Sequence, residues 1–332
     1  MNRFSLSEGT RTALRRYLGY PLFFIFAFLT SAYLTFPYER VRDVIEQQVT
    51  RAIPGSELEI VSLEPSWISG VEAHGVLLRL PSSTEGERPM SVTIPYVWAR
   101  VGIFSYLTGT TSVSFEAELD GGGTLEGTFE DESDEEHART HLVAHLENVD
   151  LRRIGPLRAA TRLPMAGMIT GDIDVILDDE ADETTGTISL DMTEMALGDG
   201  RAGVSIPGMP GAITVERLEI GTVTLRADIE HGTMRITQLV GNGTDLELRG
   251  SGTVRLVRPV RNCALDVLLR ANILPSYRER NDRTRGIFGL VDMTAEARPY
   301  RAADGAFQFR LQGTVGGRVT ARAPAGTATM PD

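Results

Sequence analysis

Three histidines stand four residues apart, His137, His141 and His145. On a helix that spacing would align three imidazoles on one face and offer them to a metal ion. The surrounding residues, ARTHLVAHLENVDL, instead alternate in polarity, with Leu142, Ala144 and Leu146 on one side. That period of two predicts a strand, on which His141 and His145 face outward about 13 Å apart at roughly 3.3 Å per residue. Two ligands so separated cannot share a zinc ion, and no metal site is expected.

Carboxylates are the other candidates. The run Glu130-Asp131-Glu132-Ser133-Asp134-Glu135-Glu136 carries six of them in seven residues, and Asp178-Asp179-Glu180-Ala181-Asp182-Glu183 resembles it. Neither has the alternating oxygen ligands and turn glycine of a calcium loop. Both are read as solvated hairpin loops. No GxSxG, HExxH or Walker loop occurs, and Gly241-Asn242-Gly243 reads as a turn. Trp67 and Trp98 could form a binding platform, although buried aromatic anchors are the commoner use. Cys263 is the chain's one cysteine, within CALDVLL, and reads as a buried strand thiol. The sequence names no catalytic residue and no cofactor or metal ligand, so a non-enzymatic role is expected.

Net charge is −12, and all 33 basic side chains are arginine. That balance argues against nucleic-acid partners, which require a basic surface. The charge is unevenly placed: residues 116–194 hold the acidic runs, and residues 249–322 are arginine-rich.

The elements that position these residues are mostly strands. From Glu57 onward the chain is a succession of short runs rich in Val, Ile, Leu and Thr with period-two alternation, divided by Gly and Asp clusters. Among them are ELEIVSLEPS, VEAHGVLLRL, SVTIPYVWARV, GMITGDIDVILDD, CALDVLLRA, GIFGLVDMTAEA and AFQFRLQGTV. No long helical pattern alternates with them, which excludes a parallel βαβ fold. The expected fold is mainly β, an antiparallel meander of about 14–17 strands. So wide a sheet must curl, giving a strongly curved antiparallel sheet or an incompletely closed barrel. Short helical turns fit at Ile103–Leu107, Leu151–Ala160 and Leu274–Arg280.

Two helices precede the sheet. Residues 18–36, LGYPLFFIFAFLTSAYLTF, lack any charge, and Leu18, Leu22, Phe23, Phe24, Ile25, Phe26, Phe28, Leu29, Leu34 and Phe36 make the stretch apolar on all sides. Nineteen residues rise roughly 28 Å as a helix, which matches the ~30 Å of a bilayer's hydrocarbon. The expectation is a single transmembrane anchor. Cleavage near Thr30-Ser31-Ala32 is the alternative, but the apolar run continues past that point. Arg3, Arg11, Arg15 and Arg16 precede the span, so residues 1–17 form a cytoplasmic tail and the bulk is exported. Residues 37–55 carry Val41, Val44, Ile45 and Val49 at helical spacing before Pro54-Gly55. This amphipathic helix either lies on the membrane or, as its lack of Trp and Phe favours, caps the open end of the sheet. A periplasmic β domain over 56–322 and a disordered tail over 323–332 complete the division.

The order of these elements resembles the type II secretion system protein N (GspN) family in its deltaproteobacterial form. The resemblance rests on TFPYERVRDVIEQQV, ELEIVSLEPSWISGVEAHGVLLRL, VWARVGIFSYLTGTTSVSFEAELDGGGTLEGTFE, HLVAHLENVDLRRIGPL and FQFRLQGTVGGRVTARAP. It covers nearly the whole chain and is strongest over Phe36–Leu80. The opening is also similar to AsmA-type envelope proteins, in which an anchor, a short helix and a strand precede a repetitive sheet. The resemblance implies a bitopic inner-membrane accessory subunit of the type II secretion system, with its bulk in the periplasm and other secretion components as partners. The AsmA-like features imply a rival role, a lipid-binding groove. On that reading inward residues such as Val76, Leu78, Leu80, Ile173, Val175 and Leu177 could cradle a phospholipid chain. A third reading, a periplasmic enzyme or glycan-binding module, requires a polar cleft with converging carboxylates or exposed Trp.

Overall fold

The computed structural model describes residues 19–35, 38–52, 55–67, 69–80, 90–102, 110–133, 138–154, 163–205, 212–257, 262–315 and 319–324. Helix α1 (Tyr20–Thr35) is uniformly apolar. Its side chains Leu22, Phe23, Phe24, Phe26 and Phe28 are between 62% and 70% exposed, so α1 is not a core helix of the domain. Among the described residues no helix is long and apolar enough to cross a membrane. The 16 residues of α1 rise about 24 Å. Leu18 and Phe36 of the expected span, and the side chains of Ile25, Leu29 and Leu34, lie outside what is described.

Helix α2 (Tyr38–Ala52) is amphipathic, with Glu39 in its first turn and Arg51 in its last, both favourable to the helix dipole. It packs on strand β1 (Glu57–Ser66) through Ile45, which joins the cluster of Ile60, Ala73 and Val76. The backbone N–H of Ile60 donates to Glu46 Oε1 at 3.3 Å. The helix therefore covers the first edge strand of the sheet and satisfies one of its amides, whereas the sequence reading places it over the sheet's open end.

Strands β2 (Gly70–Leu80), β3 (Met90–Val101), β4 (Thr111–Glu118), β5 (Thr124–Asp131), β6 (Arg139–Asp150), β7 (Met165–Asp178) and β8 (Thr185–Leu197) follow as antiparallel neighbours. A separate two-stranded ribbon, β9 (Gly203–Ser205) and β10 (Ala212–Thr214), interrupts the meander. The main sheet resumes with β11 (Leu218–Glu230), β12 (Thr233–Asn242), β13 (Leu246–Arg255), β14 (Ala264–Ile273), β15 (Phe307–Thr314) and β16 (Thr320–Arg322). The result is a 14-stranded antiparallel sheet in which β1 and β16 are the two edges and do not pair. The sheet is open and is not closed into a barrel.

Alternation builds one apolar face. Ala117 lies opposite Leu125, Leu125 opposite Leu146, and Ile173 opposite both Ala144 and Ile188. The face continues from Ile188 to Ala227, from Ala227 to Ile236, and from Leu269 to Phe309. At its first strands Ala73 and Val76 are both buried although three residues apart, because Gly75 between them takes φ +65 and shifts the alternation by one.

Two readings of the sequence are corrected here. GIFGLVDM is not a strand but part of helix α4 (Asp282–Met293), preceded by the short helix α3 (Pro275–Arg278). Asn281 and Thr284 form a reciprocal capping box that starts α4, and Phe288 then packs edge-on against Tyr277. The helical turn expected at Leu151–Ala160 is a 3-10 turn over Leu151–Arg153, with residues from 155 outside those described. The turn expected at Ile103–Leu107 also falls outside them.

Candidate functional site

The apolar face is the feature that could act on something else. Its most buried positions include Ala117, Ala144, Val175, Ala227 and Val267, small or medium side chains set along the middle of successive strands. Four glycines on the same face, Gly127, Gly171, Gly186 and Gly252, stand where a side chain would strike the backbone of a neighbouring strand. At Gly171, for example, a Cβ would lie 2.1 Å from the carbonyl oxygen of Ser189. At these positions the neighbouring strand's backbone leaves no room for a side chain, which is why glycine occupies them.

One end of this apolar face is filled. Val149, Leu151, Ile169, Met195, Leu218, Ile220, Val223 and Leu246 pack there with Tyr277 of α3. Phe288 of α4 closes the cluster from outside. The plug is fastened by polar bonds: Tyr277 donates from its hydroxyl to the Glu216 carbonyl at 3.0 Å, and Asn281 Nδ2 to Glu216 Oε2 at 2.8 Å. Arg280 reaches buried Asp245 at 2.6 Å, and Asp245 also accepts from the Glu219 N–H at 2.8 Å. Toward the opposite strand ends the same face is more open, and Phe129 and Val101 are each 41% exposed.

The six residues expected to line a groove all lie on this face. Val76 and Val175 are buried, while Leu78, Leu80, Ile173 and Leu177 are half-buried. They form two groups on β2 and β7, roughly 24 Å apart across five strand spacings. The structure thus places them on one surface without bringing them together.

The opposite face is polar and crossed by ion pairs. His141 Nε2 lies 2.8 Å from Asp174 Oδ1, and His145 Nδ1 lies 2.7 Å from Asp172 Oδ1. Each of these two imidazoles is thus held by its own aspartate on β7. Glu130, Glu132 and His141 are also near enough to offer ligand atoms to one cation. His141 Nδ1 lies 3.9 Å from Glu132 Oε1, so the ring sits between Glu132 on one side and Asp174 on the other. His137 lies outside the described residues.

Two expectations about single residues fail. Asp178 is not part of a solvated loop: it is 1% exposed and accepts from Arg139 Nε at 3.1 Å across the β6–β7 pair. Trp67 is not a buried anchor but stands 82% exposed. Trp98 is half-buried, and its indole N–H donates to Ser66 Oγ at 3.2 Å. Cys263 is buried as expected.

Cross-strand pairs on the polar face set a pH dependence. Hydrogen bonds from Arg226 hold the Asp191 carboxyl below its usual range, and those from Arg310 do the same for Asp266. Arg152 acts likewise on Asp150 at the end of β6. A depressed carboxyl stabilises the fold at pH values above its unfolded pKa, and that contribution is lost as pH falls through the folded value. The hydrogen bond to Asp172 raises the pKa of His145, so its contribution has the opposite sign and is lost as pH rises through that raised value. The urea midpoint should therefore fall steeply once pH drops below the ordinary carboxylate range. Arg226→Met combined with Arg310→Met should flatten that fall.

No protein family, curated protein or solved structure matches this chain.

Proposed function

We propose that the chain is a bitopic inner-membrane protein whose sheet lies outside the cytoplasm. It acts there by contact rather than turnover, as an accessory subunit of the type II secretion system, the family its sequence resembles. The observation that carries this reading is the asymmetry of the open sheet. The β1 edge is covered by α2, with Glu46 on the Ile60 amide. The other edge ends on β16, a strand of three residues with no further strand beside it among the described residues. A bare edge offers a row of backbone donors and acceptors to a partner strand. A photo-crosslinking side chain at Arg322, exposed on β16, should capture another secretion subunit in intact envelopes. Recovery of none, in envelopes where known subunits crosslink to each other, would remove the reading.

The apolar face favours a second reading, a lipid-binding groove of the AsmA-like kind. Its support is the combination of a plugged end with exposed Phe129 and Val101 toward the other. Protein extracted gently from membranes should carry phospholipid detectable by native mass spectrometry. Leu142→Asp with Ile173→Asp, which puts charge on the floor, should release it. Wild-type protein free of phospholipid would reject this reading and leave the first standing.

A further inference from the structure

The β1–β2 hairpin carries an indole that the fold does not use. Trp67 sits at the tip, 82% exposed, in the left-handed region at φ +54. A bulky side chain is strained there, and glycine is the residue such a turn ordinarily takes. Strain retained around an unburied aromatic side chain points to a use outside the fold.

The packing of α2 says where that tip stands. Glu46 of α2 meets Ile60, and Ala52 leads within a few residues to Glu57, so α2 runs antiparallel to β1. From Glu46 back to Tyr38 the helix rises about 12 Å. From Ile60 on to Trp67 the strand advances about 23 Å. The hairpin tip therefore reaches roughly 10 Å beyond the start of α2, toward the side from which the chain arrives. Helix α1 ends at Thr35, only three residues before Tyr38, so α1 and α2 meet within about 11 Å. Arg100, exposed and without an ion-pair partner among the described residues, is the register partner of Gly70 at this same end.

We propose that Trp67, with Arg100 beside it, docks the β1–β2 hairpin on the phospholipid surface from which α1 emerges. The indole occupies the interface and the guanidinium meets lipid phosphate, which seats the sheet on the bilayer instead of leaving it on a free tether. Indole rings prefer that layer because one edge is apolar and the other donates a hydrogen bond. The proposal rests on the reading of α1 as a membrane anchor.

The chain has two tryptophans, so Trp98→Phe leaves Trp67 as the sole indole. The full-length Trp98→Phe protein is reconstituted in phosphatidylethanolamine–phosphatidylglycerol vesicles with bromine on shallow acyl carbons. Trp67 emission should be blue-shifted and quenched by about twofold or more, the behaviour of a ring at the headgroup–acyl boundary. Full-length Trp67→Phe, reporting Trp98 alone, should be unquenched. Adding Arg100→Glu should weaken the quenching of Trp67. Trp67→Gly should keep or raise the urea midpoint, which separates docking from folding. Unquenched Trp67 in protein that resists alkaline carbonate extraction overturns the proposal and leaves the anchor intact. Protein stripped by carbonate overturns the anchor and the proposal with it.

Discussion

Gly171→Val will cost the domain about 3 kcal/mol or more of stability, the upper range for overpacking a site that cannot relax. The added Cβ would lie 2.1 Å from Ser189 O and 2.8 Å from Leu190 Cα, both backbone atoms of β8. No rotamer change removes such a clash. β7 and β8 must separate locally, which breaks ladder hydrogen bonds at the middle of the sheet. Urea denaturation should show a lower midpoint. Gly286→Ala is the matched control, because a Cβ at that α4 position meets nothing within 4 Å. It should instead stabilise by about 0.5–1 kcal/mol through helix propensity. If Gly171→Val folds with wild-type stability, the close approach of the β8 backbone to Gly171 is wrong.

Asp245→Ala will destabilise the plugged end by about 2–4 kcal/mol. Asp245 is 1% exposed and serves two elements at once, the Glu219 amide of β11 and the Arg280 guanidinium that ties α3–α4 to the sheet. Its removal takes the carboxylate acceptor from the part-buried Glu219 N–H and leaves the Arg280 guanidinium without its partner. Hydrogen exchange should accelerate first in Tyr277 and across α4, ahead of the strands. Replacing both partners, Asp245→Leu with Arg280→Leu, should cost less than Asp245→Ala alone, since no charge is then left unpaired. Equal protection of α4 in wild type and Asp245→Ala would mean that the apolar contacts of Tyr277 and Phe288 hold the plug without the ion pair.

The antiparallel meander was legible because period-two alternation is a local property: each strand states which of its residues seek the apolar side. HLVAHL showed Leu142 and Ala144 facing opposite to His141 and His145, and the sheet keeps that arrangement. Helix α2 itself was legible from the spacing of Val41, Ile45 and Val49, but its place along the edge strand β1 was not. GIFGLVDM misled because two glycines among apolar residues mimic a strand. What makes it helical is the Asn281–Thr284 capping box and the docking of Phe288 on Tyr277.

Other features depend on residues distant in the chain. Asp178 is buried because Arg139, on the neighbouring strand, arrives to pair with it. Trp67 is exposed because a left-handed turn points it away, while Trp98 is held by Ser66. The groove residues Val76 and Val175 share a face only through the register of all the strands between them. Residue pattern alone determined which side chains are apolar-facing and that they must lie in strands. Only the assembled sheet decided that it stays open, excludes side chains at certain glycines and is stopped at one end, because those outcomes follow from contacts between residues tens of positions apart.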